Sequence, residues 1–194
     1  MILIALALQT MSPPVSGGPA ADPCQVDRHA LLALNQDAFD QDMTGGWREL
    51  ADRPGCMASA ADLIRAYRAH AQSRLSILYW HEGQLRATLG DYAAAIPLLE
   101  ASRKPQDSSG WNPYVDATVA FLRGDRAALV QARDRLAALP RPPDFRDQVL
   151  ANGFHLTWPM NLEVVDGLLR CFGRPYREAY SAAECRVPAP ARPR

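Results

Sequence analysis

The chain has 194 residues, 21 basic and 21 acidic side chains, zero formal net charge and 48% hydrophobic content. That length suits one compact domain or one short repeat array, and buries roughly two-thirds of the unfolded surface. The charge balance gives no bulk electrostatic reason to bind nucleic acid or an anionic membrane. The hydrophobic fraction excludes a disordered chain, and no apolar run approaches the ~20 residues that span a bilayer.

Met1–Leu8 reads MILIALAL, and a polar stretch containing proline and glycine follows to Ala20. The run has the length of a signal-peptide h-region, and Gly18 and Ala20 are the small residues a signal peptidase needs, so residues 1–20 are predicted to be removed on export. Only the amino group of Met1 supplies positive charge to the n-region. The expected location is therefore periplasmic or secreted, and cytoplasmic if this segment is not a signal. Asp27 opens a helical run, RHALLALNQDAFDQDM, with Leu31, Leu32, Leu34 and Phe39 as its apolar stripe, ended by Gly45-Gly46. Trp47 to Arg53 is a short second piece closed by Pro54-Gly55, which makes 21–58 an N-terminal helical hairpin. Ser59 is the predicted cap of a helix carrying Ala60, Leu63, Ile64 and Tyr67 at helical spacing.

Further helices follow over Leu75–Leu89, ended by Gly90; from Asp91, with Tyr92, Ala95, Ile96 and Leu99 inward; over Pro113–Arg123, stopped by Gly124; and over Asp125–Leu139, stopped by Pro140. No stretch sustains the period-two alternation of a strand, so the predicted fold is all-α. Residues 59–140 form its central array, 141–186 an insertion and a C-terminal helical pair, and 187–194 a disordered tail. Four cysteines allow three pairings. A hairpin over 21–58 brings Cys24 to Cys56; Cys171–Cys185 requires the chain after Ala183 to fold back. None sits in a C-x-x-C pair and His29, His70 and His155 are isolated, so neither a metal nor a cofactor is expected.

Gly90-Asp91 and Gly124-Asp125 are the same helix break, 34 residues apart. The first unit has Gly83, Tyr92 nine residues on, Ala95 three further, then Leu99. This period and spacing resemble the tetratricopeptide repeat family, in which antiparallel helix pairs stack into an α-solenoid. The second unit keeps Ala117 and Leu136 but has Arg126 and Leu129 at the usual Tyr and Ala positions. Gly167, Tyr176 and Ala179 repeat the spacing, and Gly55, Ala60 and Ile64 match a second helix. The resemblance covers Cys56–Leu139, and more loosely Leu162–Cys185, with Pro140–Pro159 as an insertion.

The resemblance implies a scaffold that binds a protein or peptide on a concave face lined by the first helix of each pair. Here those positions are Ile77, Trp80, Gln84, Ala87 and Thr88, then Trp111, Tyr114, Thr118 and Phe121. Such an aromatic face suits an apolar peptide or helix; the alternative is that these side chains are core beneath the N-terminal hairpin or the 140–160 insertion. His81-Glu82 is the most chemical-looking pair, but adjacent helical residues point about 100° apart. Glu82 and Arg86 read as a solvated i,i+4 ion pair. Asn161 is the predicted cap of Leu162–Phe172, with Trp158 stapled over Val165. No nucleophile elbow, phosphate loop or dinucleotide fingerprint occurs. The leading expectation is an exported, non-catalytic partner-binding scaffold. The alternatives are an enzyme built around His81 and Glu82, or a structural, self-associating module whose groove is plugged by its own insertion.

Overall fold

The computed structural model describes residues 22–71, 73–149 and 155–186. The predicted signal segment, the 187–194 tail and the His155 side chain lie outside the described residues. The described residues are all-α apart from one small two-stranded hairpin. Its helices are α1 (Arg28–Leu32), α2 (Gly46–Asp52), α3 (Met57–His70), α4 (Ser76–Thr88), α5 (Tyr92–Ala101), α6 (Trp111–Leu122), α7 (Arg126–Ala137), α8 (Leu162–Arg170), α9 (Tyr176–Ser181) and α10 (Ala183–Arg186).

The N-terminal run is not one helix. Asp27 caps α1 through a hydrogen bond from the Ala30 amide (3.0 Å), but after Leu32 the chain breaks and restarts. Asn35 accepts the Ala38 amide with its side chain (2.9 Å), offering the backbone a local alternative to the helical ladder. A single π-helical turn over Asp37–Gln41 follows. Two further expected caps differ. α3 starts at Met57 behind Cys56 rather than behind Ser59, with no side-chain cap. Asn161 adopts the left-handed conformation (φ 64°) and caps nothing with its side chain; asparagine tolerates this region better than most residues.

The repeated Gly-Asp breaks form one turn built twice. Gly90 and Gly124 have φ of 85° and 70°, which a Cβ would strain. At the first, the Gly90 amide donates to Ala87 O (3.0 Å) and the Asp91 amide to Arg86 O (2.9 Å); at the second, Gly124 donates to Phe121 O (3.0 Å) and Asp125 to Ala120 O (2.9 Å). These paired bonds satisfy the last carbonyls of α4 and α6. Asp91 and Asp125 then cap the following helices from the Ala94 and Ala128 amides. The result is two helical hairpins, α4–α5 and α6–α7, 34 residues apart. Within the first, a Cβ on Gly83 would lie 2.9 Å from Leu99 Cγ and 3.2 Å from Leu98 Cβ: close helix approach is why that position is glycine.

Two apolar cores share α4. One holds Phe39, Trp47, Leu50, Leu63, Ile64, Tyr67 and Leu78 from the N-terminal elements. The other holds Trp80, Leu99, Tyr114, Val115, Phe121, Leu129, Leu136, Val165, Leu168 and Tyr176. Cys24–Cys56 and Cys171–Cys185 are both closed disulfides, with Cα separations of 5.2 and 5.7 Å, and no cysteine is free. Two such bonds point to an oxidising compartment, extracellular or periplasmic. No helix among the described residues is long and apolar enough to cross a membrane.

Among the described residues, the insertion holds the only strand pair. Gln148–Val149 pairs antiparallel with His155–Leu156, with Gln148 opposite Leu156. Trp158 does not staple over Val165: its indole N–H donates to Leu139 O (3.2 Å) and its ring lies 5.2 Å from that of Phe145. It anchors the insertion to the end of α7.

Candidate functional site

α4 and α6 present their inner faces to one another. Trp80 is 4% exposed, its ring 5.0 Å from Trp111 and 4.7 Å from Tyr114. The Trp111 indole donates to Ser102 O (2.8 Å), and the Lys104 ammonium sits 4.8 Å over the same ring. Thr118 is fully buried and donates to Tyr114 O (3.0 Å). Ile77 is half-buried and touches both cores. The residues expected on the inner face are therefore brought together, but Trp80, Tyr114, Thr118 and Phe121 are buried and line no open groove.

The C-terminal arm, 162–186, covers the Tyr114 and Phe121 part of this face. α8 packs on both α6 and α7, and α9 folds back onto α4. Phe172 meets Phe121 at 6.0 Å, and Tyr176 meets the same ring at 6.2 Å. The Tyr176 amide donates to the Tyr92 hydroxyl (2.9 Å), so Tyr92 receives the arm. The arm's Gly167, Tyr176 and Ala179 stand where the Gly83, Tyr92 and Ala95 spacing would put them. Tyr176 and Ala179 are buried, and a Cβ on Gly167 would meet Cys185 O at 2.9 Å. The arm folds back so that α9 packs on α4 of the first hairpin.

The arm's own chemistry is uneven. Burial pushes the Tyr114 and Tyr176 phenols up, with Tyr180 beside them adding to it, so both stay protonated. Gln84, half-buried, faces the Tyr176 phenol without a good hydrogen bond. Among the described residues, three buried side-chain atoms have no hydrogen-bond partner: Glu163 Oε1, Tyr176 Oη and Arg186 Nη1. All three belong to the arm. Its disulfide, Cys171–Cys185, links the end of α8 to α10 and ties the arm only to itself.

His81 and Glu82 diverge, as their adjacency requires. The His81 ring reaches Asp40, Nδ1 to Oδ1 2.7 Å. Asp40 is fully buried in the π turn and also accepts the Trp47 indole N–H (2.8 Å), while Arg48 donates to its carbonyl. Burial alone would raise the Asp40 carboxyl; the His81 hydrogen bond and charge, the Trp47 indole and Arg48 together hold it below its ordinary value. Glu82 is not a solvated partner of Arg86. It is 3% exposed and takes two donors from Arg68, Nε (3.2 Å) and Nη2, while Arg86 reaches Asp62 (2.5 Å) and only grazes Glu82 (3.8 Å). Both acids pin neighbouring helices to α4. The sequence offered no sign of the Asp40 and Arg68 partners, because they lie 41 and 14 residues away. Among the described residues no cluster of histidine, cysteine or carboxylate side chains could hold a metal.

Comparison with family models, with curated proteins and with solved structures found no match to this chain.

Proposed function

We propose that the protein is a non-catalytic helical-repeat scaffold of the tetratricopeptide type, exported to the periplasm or beyond, that holds an apolar helical segment of a partner against the aromatic inner face of α4 and α6. The observation that carries this reading is that the face already holds such a segment: α9, with Tyr176 on Phe121 and Tyr92. The arm is then a resident occupant, and the partner takes its place. Three buried polar atoms of the arm have no hydrogen-bond partner among the described residues, so its packing leaves polar groups incompletely satisfied. The arm's disulfide leaves it free to move as one unit. The repeated hairpin turns and the paired cysteines support the repeat and export parts of the reading.

The test uses the mature protein and a Tyr176→Ala variant as bait for envelope proteins of the native host. A saturable partner, bound several-fold more tightly by the variant, is expected. A search that yields no partner for either protein overturns the reading. A second reading, a purely structural module, draws on the burial of the same aromatics; concentration-dependent self-association, with no partner found, would favour it.

A further inference from the structure

We propose a second site, independent of the aromatic face: a phosphate-binding pocket between the end of α3 and the start of α4. Arg65, Arg68, Ala69, Ser73, Arg74 and Tyr79 line a surface cavity of about 470 Å³. Three arginines, a serine and a tyrosine are among its lining residues, and none of the described lining residues is acidic. In a chain of zero net charge this is a local arrangement. The comparable pocket formed by Arg103, Arg123 and Arg135 includes Asp116 and Asp125 in its wall, and Asp116 binds both Arg103 and Arg135; its charge is spent internally.

In the α3–α4 pocket the paired carboxylates, Glu82 and Asp62, lie outside the lining, and Arg74 has no ion-pair partner among the described residues. Arg68 gives Nε and Nη2 to the buried Glu82, which fixes the guanidinium, and its carbon lies 4.0 Å over the Tyr79 ring. A guanidinium held from one side by a carboxylate and a ring is pre-organised, and its remaining nitrogen, Nη1, has no protein partner among the described residues. Arg65 pairs with Asp62 at 3.1 Å from an exposed position. Arg74 is exposed on the connecting loop, with no carboxylate within 4 Å among the described residues. With Arg86 counted, four guanidiniums stand around two carboxylates, Asp62 and Glu82. A single carboxylate ligand would be satisfied by one arginine fork. Several separate donors around one cavity suit a tetrahedral dianion, and arginine matches phosphate geometry. The ligand is a phosphate group, free or carried on a small organic ester; the Ala69 methyl and the Tyr79 ring give an organic substituent an apolar wall.

The test is calorimetric titration of the oxidised protein with inorganic phosphate, phenyl phosphate and acetate at matched ionic strength. Saturable binding of phosphate is expected, with acetate silent. Arg74→Ala and Arg65→Ala should each weaken it about ten-fold or more while leaving far-UV circular dichroism and melting unchanged. Arg68 is left intact because Glu82 depends on it. Tighter binding of phenyl phosphate supports the site and assigns it to an ester; equal binding supports it and assigns it to the free ion. Absence of saturable binding, equal binding of acetate, or an Arg74→Ala variant that binds like wild type overturns the proposal.

Discussion

Truncating Trp80 to alanine separates a core tryptophan from a groove tryptophan. The side chain is 4% exposed, between Trp111 and Tyr114. A buried tryptophan removes roughly 150–250 Å² from water, about 4–6 kcal/mol at ~25 cal/mol per Å². Alanine recovers a few tenths of a kcal/mol of helix propensity, and the surviving Cβ retains a little burial. The net expected loss is about 3–5 kcal/mol, the usual range for a large aromatic deleted from a core. Against a total stability of order 5–15 kcal/mol, that is a large fraction. Urea unfolding followed by circular dichroism at 222 nm reads it without relying on the lost fluorophore. Leu75→Ala, at a position 47% exposed, is the control and should shift stability by about 0.5 kcal/mol or less. A Trp80→Ala loss below about 1 kcal/mol would refute the packing argument, because an indole in an open groove contributes little to folding.

Gly83→Ala gains about 1 kcal/mol of helix propensity but sets a methyl 2.9 Å from Leu99 Cγ. Overpacking of about 1–3 kcal/mol offsets that gain, so a lower urea midpoint is expected and a raised one contradicts the close approach of α4 and α5. Replacing Cys171 and Cys185 by serine should cost about 3 kcal/mol, the entropy of a closed loop spanning 14 residues; an unchanged melting temperature would show that the bond constrains nothing. The Asp40 carboxyl is held below its ordinary value in the folded state. Its contribution is therefore complete above about pH 4, where the unfolded carboxyl is ionised, and is lost as pH falls through the lower folded value. Asp40→Asn should flatten the acid limb of the stability profile below about pH 4, and an acid limb identical to wild type would remove Asp40 from the account.

Local signals carried much of the fold into the sequence. A glycine at positive φ followed by a capping aspartate is a complete instruction for a helical hairpin, and at Gly90-Asp91 and Gly124-Asp125 it was readable without any tertiary knowledge. The same holds for Gly83, whose spacing from Tyr92 and Ala95 marked the close helix pair. Cysteine positions allowed the pairing that formed. What escaped was set by distance in the chain. Asp40 meets His81 across 41 residues, and Arg68 rather than Arg86 takes Glu82, so the buried Glu82 read as a solvated acid. Asn35 interrupts the first helix through its own side chain, which periodicity cannot register. The candidate inner face was legible as a set of residues, since α4 and α6 do bring Trp80, Trp111 and Tyr114 together. Its occupant was not: Gly167, Tyr176 and Ala179 announced a third helix pair, but nothing local says that it folds back onto α4.

The central claim is that the arm is a resident occupant able to leave the inner face without unfolding the rest. Hydrogen exchange resolved along the native, oxidised protein measures this directly. The account predicts that the amides of α8 and α9 exchange together, as one unit, through an opening free energy below that of α4 and α6. Tyr176→Ala should lower it further while α6 stays protected. Exchange of α9 at the same free energy as α6 would contradict the account, making the arm permanent core and the aromatic face inaccessible to any partner.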